Sequence, residues 1–494
     1  MMVRVIHFYS APDSTLIGVV ADDAFYYMQM ARHRLSDGFW TFDGTSPATG
    51  FHLLYGYFLL VVYSVLGDLD WRRLYLLVGV LAAVSIAVAA FLTCRTVETV
   101  FERKIIPIAA APFFTVAALT QSTAMMESWL ALLFAALTVF LLTRDNVLTL
   151  HRAVGLVGVG ILGSLARSDY GMLPGVLFCV FLIGQRFQKN ALLTRSALVL
   201  TGAIVGVLIV LAQTYAISGE FAQASAQTKL HWSAVQGHTI RVPILLFGPI
   251  VFPFFDQTFL LLDAAGREIK LFALLAAAVA FLFVLVRLYG GLKTASDTVP
   301  PLLWTGCALT IVGYIAFYRH NSAALQLWYS CNVLVPIAIC LSGALLFVFR
   351  RHAAGAAIAG LALYAYVGLS NVFAVTWPGQ AGMMQAGVFL RDQDAGFKYA
   401  AWNAGIISYF SQKPVVNIDG LANDDVLPFI TSNTLLDYIK SQNIHYLLDY
   451  QGMVTDRYRR ARGGYDDPRT DSCLRPGREV VDYLKVIQVT PGCL

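Results

Sequence analysis

The chain has 494 residues, of which 57% are hydrophobic and only 13% charged, where soluble globular proteins carry roughly 25% charge. A mean hydropathy of +0.65 therefore excludes an ordinary soluble protein. The net charge of +5 is spread over loops and gives no support for a nucleic-acid partner.

The first informative stretch is Ala21-Asp22-Asp23-Ala24-Phe25-Tyr26-Tyr27, followed by Phe42-Asp43-Gly44 and Thr49-Gly50-Phe51-His52. Two adjacent carboxylates open an amphipathic helix just ahead of the first long apolar run. Asp favours a helix N-cap and the positive end of the helix dipole, so capping is one reading. Two consecutive Asp cannot both serve one cap, however, and ionised groups at a membrane boundary are costly and mark sites. A catalytic pair is the other reading.

Apolar blocks then recur from about residue 53 to 375. A spanning helix needs about 20 apolar residues, and roughly ten segments qualify: 74–94, 105–120, 128–143, 153–166, 171–187, 192–216, 269–287, 301–318, 329–349 and 353–373. Lys and Arg favour cytoplasmic loops. Alternate connections hold Arg95, Arg103 and Lys104; Arg144 and Arg152; Arg186, Lys189 and Arg195; Arg287 and Lys293; and Arg350 and Arg351. This pattern puts the N-terminus, the Asp pair and the tail together on the opposite, outer side. For the count to hold, His52–Gly67 and Pro243–Leu262 must lie in the interface or re-enter without crossing. No internal repeat is evident.

Polar residues at the outer ends of the spans then converge. They are Glu127; Arg167 and Asp169 in a very short turn; Lys229 and His231; and Arg319 and His320, with Trp328 and Tyr329 shortly after. Each has a plainer reading, as a local ion pair, a solvated loop charge or an aromatic interface anchor. Their shared side is the argument for a site.

The tail, residues 376–494, has mixed charge and no membrane-length run. Ala404–Phe410, Pro414–Asn423, Leu435–Ser441 and His445–Tyr450 alternate helix and strand signals, so a small α/β layer is expected. Cys473 and Cys493 lie in the tail and are able to pair if it faces an oxidising compartment. The other five cysteines read as small core residues.

The DDAFYY, FDG, TGFH and NIDGLAN segments together resemble the GT-C glycosyltransferases, in particular the bacterial arabinofuranosyltransferase-like and family 39-like groups. The resemblance is carried by both ends of the chain; between them it lies in hydropathy and loop polarity. It implies a polytopic α-helical membrane domain over 1–375, with its outer carboxylate loop in about 1–73, and an extracytoplasmic α/β domain over 376–494. It implies an enzyme of the bacterial inner membrane and cell envelope, with site and tail on the periplasmic face. Such an enzyme transfers a sugar, with a pentose such as arabinofuranose in view, from a polyprenyl-phosphate donor to a glycan, lipid or protein acceptor. Asp22 would be the main catalytic carboxylate with Asp23 second, both available to a divalent cation. His52, Glu127, Arg167, Asp169, Lys229, His231, Arg319, His320, Trp328 and Tyr329 would contact donor phosphate or substrate, and Asn417 and Asp419 the acceptor. The chain departs from the family at its start: a first span normally precedes the carboxylate loop, and Val3–Val20 looks instead like the outer linker that follows such a helix. The competing class is a transporter or flippase of lipid-linked sugars. Transporters place charges and broken helices near the bilayer midplane, whereas here the charges sit at span ends.

Overall fold

The computed structural model describes residues 1–236, 299–320 and 325–493, apart from 102, 145–146, 185–190, 395, 482–483 and 491. The expected span 269–287 and the interfacial segment Pro243–Leu262 lie outside the described residues.

Five described helices are long and apolar enough to cross a membrane: Trp71–Val100, Ala191–Ser218, Val299–Tyr318, Leu327–Phe349 and Ala353–Ser370. The shorter apolar helices Leu53–Leu66, Ser128–Leu142, Leu150–Ala166 and Ser168–Gly184 pack among them. The segment expected to span at 105–120 is not one helix. It breaks into Ile106–Ala110, a 3₁₀ turn Ala111–Phe114 and Val116–Gln121, with Pro107 and Pro112 each at the start of a piece. Proline lacks the amide hydrogen and its ring blocks the preceding turn, so a continuous helix is not available there.

Leu53–Leu66 has 14 residues, roughly 21 Å at 1.5 Å per residue, too short for a ~30 Å hydrocarbon core. Both its ends touch the helix Asp22–Ser36. At one end the Tyr27 hydroxyl accepts from the His52 amide at 3.0 Å; at the other Arg32 donates to the Leu69 carbonyl at 3.1 Å. The helix therefore runs alongside Asp22–Ser36, and it also packs against Leu150–Ala166. The N-terminal helix Met2–Ser10 is stapled to the end of Ala353–Ser370 by buried Arg4, which donates to the carbonyls of Asn371, Val372 and Ala374.

The tail is a five-stranded sheet of β1 (Tyr399–Ala401), β2 (Val415–Asn417), β3 (Tyr446–Tyr450), β4 (Leu474–Val481) and β5 (Leu484–Val489), in the order β2-β1-β3-β5-β4. The first three are parallel, with Tyr399 opposite both Val415 and Tyr446, and β5 runs antiparallel to β3 and β4. Parallel strands need crossovers, supplied by Gly405–Ser411 between β1 and β2 and by Leu427–Thr431 and Leu435–Ser441 between β2 and β3. The Cys473–Cys493 disulfide ties the last residues to the start of β4.

The tail and the loops of the helical domain are interlocked backbone to backbone. The Asp424 amide donates to the Pro47 carbonyl at 2.9 Å, and the Thr49 amide to the Asp424 carboxylate at 3.0 Å. A Cβ on Gly50 would fall 1.7 Å from the Leu421 carbonyl oxygen. Forced overpacking costs about 1–3 kcal/mol or more. Gly50→Ala should therefore lower the thermal unfolding temperature of the detergent-solubilised protein. Gly155→Ala, where a Cβ meets nothing within 4 Å, should leave it unchanged or raise it.

Candidate functional site

The helix Asp22–Ser36 starts behind Ala21, which makes no side-chain cap. Neither Asp caps its own helix. Successive helical residues point ~100° apart, and the two carboxylates part company accordingly. The Asp22 Oδ1 accepts from the Ile406 amide at 2.7 Å and so caps the tail helix Gly405–Ser411; its Oδ2 is buried without a partner among the described residues. Burial pushes Asp22 up to about 7, with Asp23 adding. A Cβ on residue 405 would fall 2.4 Å from the Asp22 carbonyl oxygen, so glycine there is what lets the tail helix approach.

Asp23 faces the other way, into a cavity it shares with Tyr26, Tyr27, His52, Glu127, Arg167, Lys229, Trp328 and Tyr329. Seven of the residues singled out in the sequence meet there. Arg167 is 3% exposed and holds Glu127 Oε1 through Nη1 at 2.5 Å. It also forks onto Asp169, with Nε at 3.1 Å and Nη2 at 3.0 Å. Asp169 in turn accepts from Asn332 at 2.9 Å and from the Tyr318 hydroxyl. It stands behind Arg167 as its support. The local Arg–Asp pair and the site residue are thus the same group.

Lys229 donates to the Tyr329 hydroxyl at 2.7 Å, and the Arg167 guanidinium lies 4.5 Å from the Tyr329 ring centroid. Burial alone would lower the Lys229 ammonium, but Tyr329 and Asp23 hold it above its usual range. His52 Nε2 sits 3.5 Å from Glu127 Oε1. Burial, aided by the neighbouring Arg167 and Lys229, lowers His52 to about 4, so the ring is neutral near pH 7. Asp23 itself receives no hydrogen bond among the described residues; burial pushes it up, Glu127 adds, and Lys229 pulls part of the shift back.

Other expected residues lie elsewhere. His231 is not on the cavity wall, and its neighbour Trp232 is buried against Trp402, ring centroids 4.8 Å apart. The side chains of Arg319 and His320 are outside the described residues. Asn417 and Asp419, expected to contact an acceptor, are 0% and 1% exposed and cannot form a recognition edge. Instead the Asn417 amide donates to the Tyr26 hydroxyl at 3.2 Å, and that hydroxyl lies 3.2 Å from Asp419 Oδ2. The loop holds the carboxylate-bearing helix in place, and Leu421 is its contribution to the cavity wall. Tyr26 and Tyr27 were not assigned a role from sequence, although their i+3 and i+4 spacing from Asp23 puts all three on one helix face.

Asp23, Glu127 and His52 are the groups available to a metal, yet no three His, Cys, Asp or Glu among the described residues are arranged to hold one. Glu127 Oε1 is engaged by Arg167, and Lys229 is a second cation in the same cavity. A divalent ion there would meet two fixed positive charges, so the donor set among the described residues does not fit one.

The fold is shared with solved proteins. ArnT from Cupriavidus metallidurans bound to undecaprenyl phosphate matches over 99% of this chain and 97% of its own, with a TM-score of 0.56 at 10% identity. The Archaeoglobus fulgidus oligosaccharyltransferase in complex with zinc and sulfate matches over 92% of this chain and 68% of its own, with a TM-score of 0.53 at 13% identity. AglB from the same archaeon, bound to an inhibitory peptide and dolichol phosphate, matches over 93% and 69%, with a TM-score of 0.51 at 12% identity. The chain has the GT-C fold. A sequence family described as "Domain of unknown function (DUF8728)" matches residues 375–483, within the tail. No curated protein matches the sequence.

Removing one partner of a buried ion pair costs ~3–5 kcal/mol because a charge is left uncompensated. Arg167→Met should destabilise the protein on that scale in thermal unfolding, since it strands both Glu127 and Asp169. Lys229→Met, whose main partner is a phenol, should cost markedly less.

Proposed function

We propose that this chain is a multi-pass membrane glycosyltransferase that moves a sugar from a polyprenyl-phosphate carrier to an acceptor hydroxyl, with Asp23 as general base. The observation that carries the reading is a carboxylate that receives no hydrogen bond among the described residues and faces a buried guanidinium and an ammonium across one cavity, on a fold whose ArnT example is bound to undecaprenyl phosphate. Asp23 takes the proton from the acceptor O–H as that oxygen bonds to the anomeric carbon. The bond from that carbon to the phosphate oxygen breaks, and the oxygen keeps the electron pair. Lys229 and Arg167 meet the charge that develops on the phosphate in a site shielded from water. Neutral His52 is placed to hydrogen-bond substrate. In this reading the two cations supply the electrostatic help that a divalent ion would otherwise give.

The orientation we propose puts the cavity and tail on the outer face of a bacterial inner membrane. Arg95, Arg103, Lys104, Arg144, Arg152, Arg195 and Arg351 punctuate the ends of the apolar helices away from the cavity, as the excess of positive charge on cytoplasmic loops requires. The tail disulfide fits an oxidising compartment.

The experiment is incubation of purified protein with a panel of polyprenyl-phosphate sugars, pentoses such as arabinofuranose first, following donor loss. Asp23→Asn should lower transfer by about 10²–10⁴-fold, the range of general-base catalysis. Asp22→Asn keeps the oxygen that caps Gly405–Ser411 and should retain transfer within tenfold. Equal loss in both variants contradicts the assignment. Dialysis against a chelator should leave the rate unchanged; loss restored by a divalent cation would overturn the metal-free reading.

Asp23 acts only when deprotonated, and its raised affinity for the proton moves the acid limb of the pH–rate profile above the ordinary carboxylate range. Lys229 lowers Asp23, so Lys229→Gln should shift that limb to still higher pH. A limb that stays in place would separate Lys229 from the base.

A further inference from the structure

The helix Ala224–Gln236 carries two neighbouring stripes of side chains. Ser225 and Lys229, four residues apart, line the cavity that holds Asp23. Thr228 and Trp232, also four apart, face the tail. The Thr228 hydroxyl donates to the Gly420 carbonyl at 3.0 Å, and the Trp232 ring centroid lies 4.8 Å from that of Trp402. Residues i and i+4 share a helix face, and Lys229 and Trp232 are offset by roughly 60° of rotation and about 4.5 Å of rise. Whatever fixes Trp232 therefore fixes the backbone from which Lys229 extends.

The tail is what fixes Trp232. The indole is 1% exposed and belongs to the tail's own apolar core, whose other buried members among the described residues all lie between Ala400 and Ile487. Trp402 directly follows β1, and Gly420 lies three residues beyond β2. Trp232 and Thr228 thus meet the carboxyl ends of two neighbouring parallel strands, the edge at which open α/β sheets receive ligands. The Arg462 guanidinium lies 4.7 and 4.5 Å from the ring centroids of Trp232 and Trp402, so one cation addresses both indoles. Its Nε has no hydrogen-bond partner among the described residues.

We propose that Trp232, Trp402 and Arg462 are positioning residues for Lys229. The tail clamps one turn of Ala224–Gln236, and the preceding turn delivers the ammonium to the phosphate leaving group. The proposal rests on the transferase reading above.

Lys229 needs such a clamp and Arg167 does not. Lysine is a compact charge on a flexible four-carbon stem, and the head of Lys229 is met by a neutral partner, the Tyr329 hydroxyl at 2.7 Å. Its place opposite Asp23 is therefore set by where its backbone is held. Arg167 is instead fixed at its own head by Glu127 and Asp169. The helix Ala224–Gln236 packs against Arg457–Gly463 and Leu427–Thr431 of the tail and more lightly against Val299–His320. Its leading end is tied down by Gln223, which donates to the Thr49 and Phe51 carbonyls at 3.0 and 2.8 Å.

The test measures binding of undecaprenyl phosphate to the full-length protein in nanodiscs, which needs no turnover. Lys229→Gln should weaken binding about tenfold, the scale of one charge-assisted hydrogen bond. Trp232→Leu and Arg462→Gln keep Lys229 but release its helix, and each should weaken binding by a similar factor. Added to Lys229→Gln, either should cost less than about a further twofold, because the charge it positions is gone. Factors that multiply would place the clamp residues' effect elsewhere and overturn the proposal. Trp232→Phe keeps a ring for Arg462 and should restore most of the binding; a Phe variant as weak as Leu also counts against the clamp. Amide hydrogen exchange, read without ligand, should quicken across 224–236 in Trp232→Leu and Arg462→Gln and not in Lys229→Gln. Exchange unchanged in both clamp variants overturns the proposal. A native chain that does not bind undecaprenyl phosphate refutes the phosphate-site reading, and the exchange then decides the clamp alone. Coupled binding without transfer from any polyprenyl-phosphate sugar would sustain the clamp and refute the transferase reading; transfer by a chain whose clamp variants multiply with Lys229→Gln would do the reverse.

Discussion

One guanidinium organises the site end of this molecule. A buried charge is tolerated only when its donors are paired in good geometry, and Arg167 achieves this with Glu127 on one side and Asp169 on the other. Glu127 stands at the N-cap of Ser128–Leu142, Arg167 at the C-cap of Leu150–Ala166, Tyr318 in Val299–His320 and Asn332 in Cys331–Phe349. Four helices thus end at one electrostatic knot, and their relative heights are set by hydrogen bonds as well as apolar contact. A network of this kind is worth keeping only if every member is satisfied. It explains why Asp169, which never reaches the cavity wall, is needed as much as Arg167, which does.

Against that fixed background Asp23 receives no hydrogen bond among the described residues. Its twin Asp22 went to structure, closing the N-terminus of a helix nearly 400 residues away in sequence, while Asp23 went to the cavity. A helix turning ~100° per residue makes this division unavoidable for adjacent side chains: one faces the tail and the other faces Arg167 and Lys229. Capping falls to Asp22 and the cavity-facing position to Asp23, so the two readings of the pair in the sequence concern different members of it.

Much of this was legible beforehand, for identifiable reasons. The membrane class followed from composition. The tail elements Gly405–Ser411, Val415–Asn417, Leu435–Ser441 and Tyr446–Tyr450 followed from short-range alternation of helix and strand signals. Glu127, Arg167, Lys229 and Tyr329, singled out because they lie at the same ends of successive apolar runs, line one cavity. What was not legible depended on rotation and burial, which hydropathy does not encode. The order of Asp22 and Asp23 needs the helix phase relative to a tail not yet placed. Asn417 and Asp419 look like exposed loop polarity and are instead fully buried partners of Tyr26. The break at 105–120 was visible in Pro107 and Pro112, but the apolar run outweighed them.

The remaining question is why a membrane protein of this fold should carry its tail so tightly docked. The contacts are of a kind that leaves little play: Gly50 against the Leu421 carbonyl, Gly405 against the Asp22 carbonyl, and the Thr228 hydroxyl on the Gly420 carbonyl at 3.0 Å. Close backbone approach through glycine removes the compliance that side chains would lend. Asp23 sits on a helix that packs against Leu53–Leu66 and the tail helix Gly405–Ser411. The tail supplies part of the packing that fixes it. Asn417 and Asp419 grip Tyr26, Ile406 grips Asp22, and Asp23 lies between those two anchors on the same turn of helix. The tail is therefore part of the framework that positions Asp23, and a variant that loosens it acts on that carboxylate as directly as one in the cavity wall.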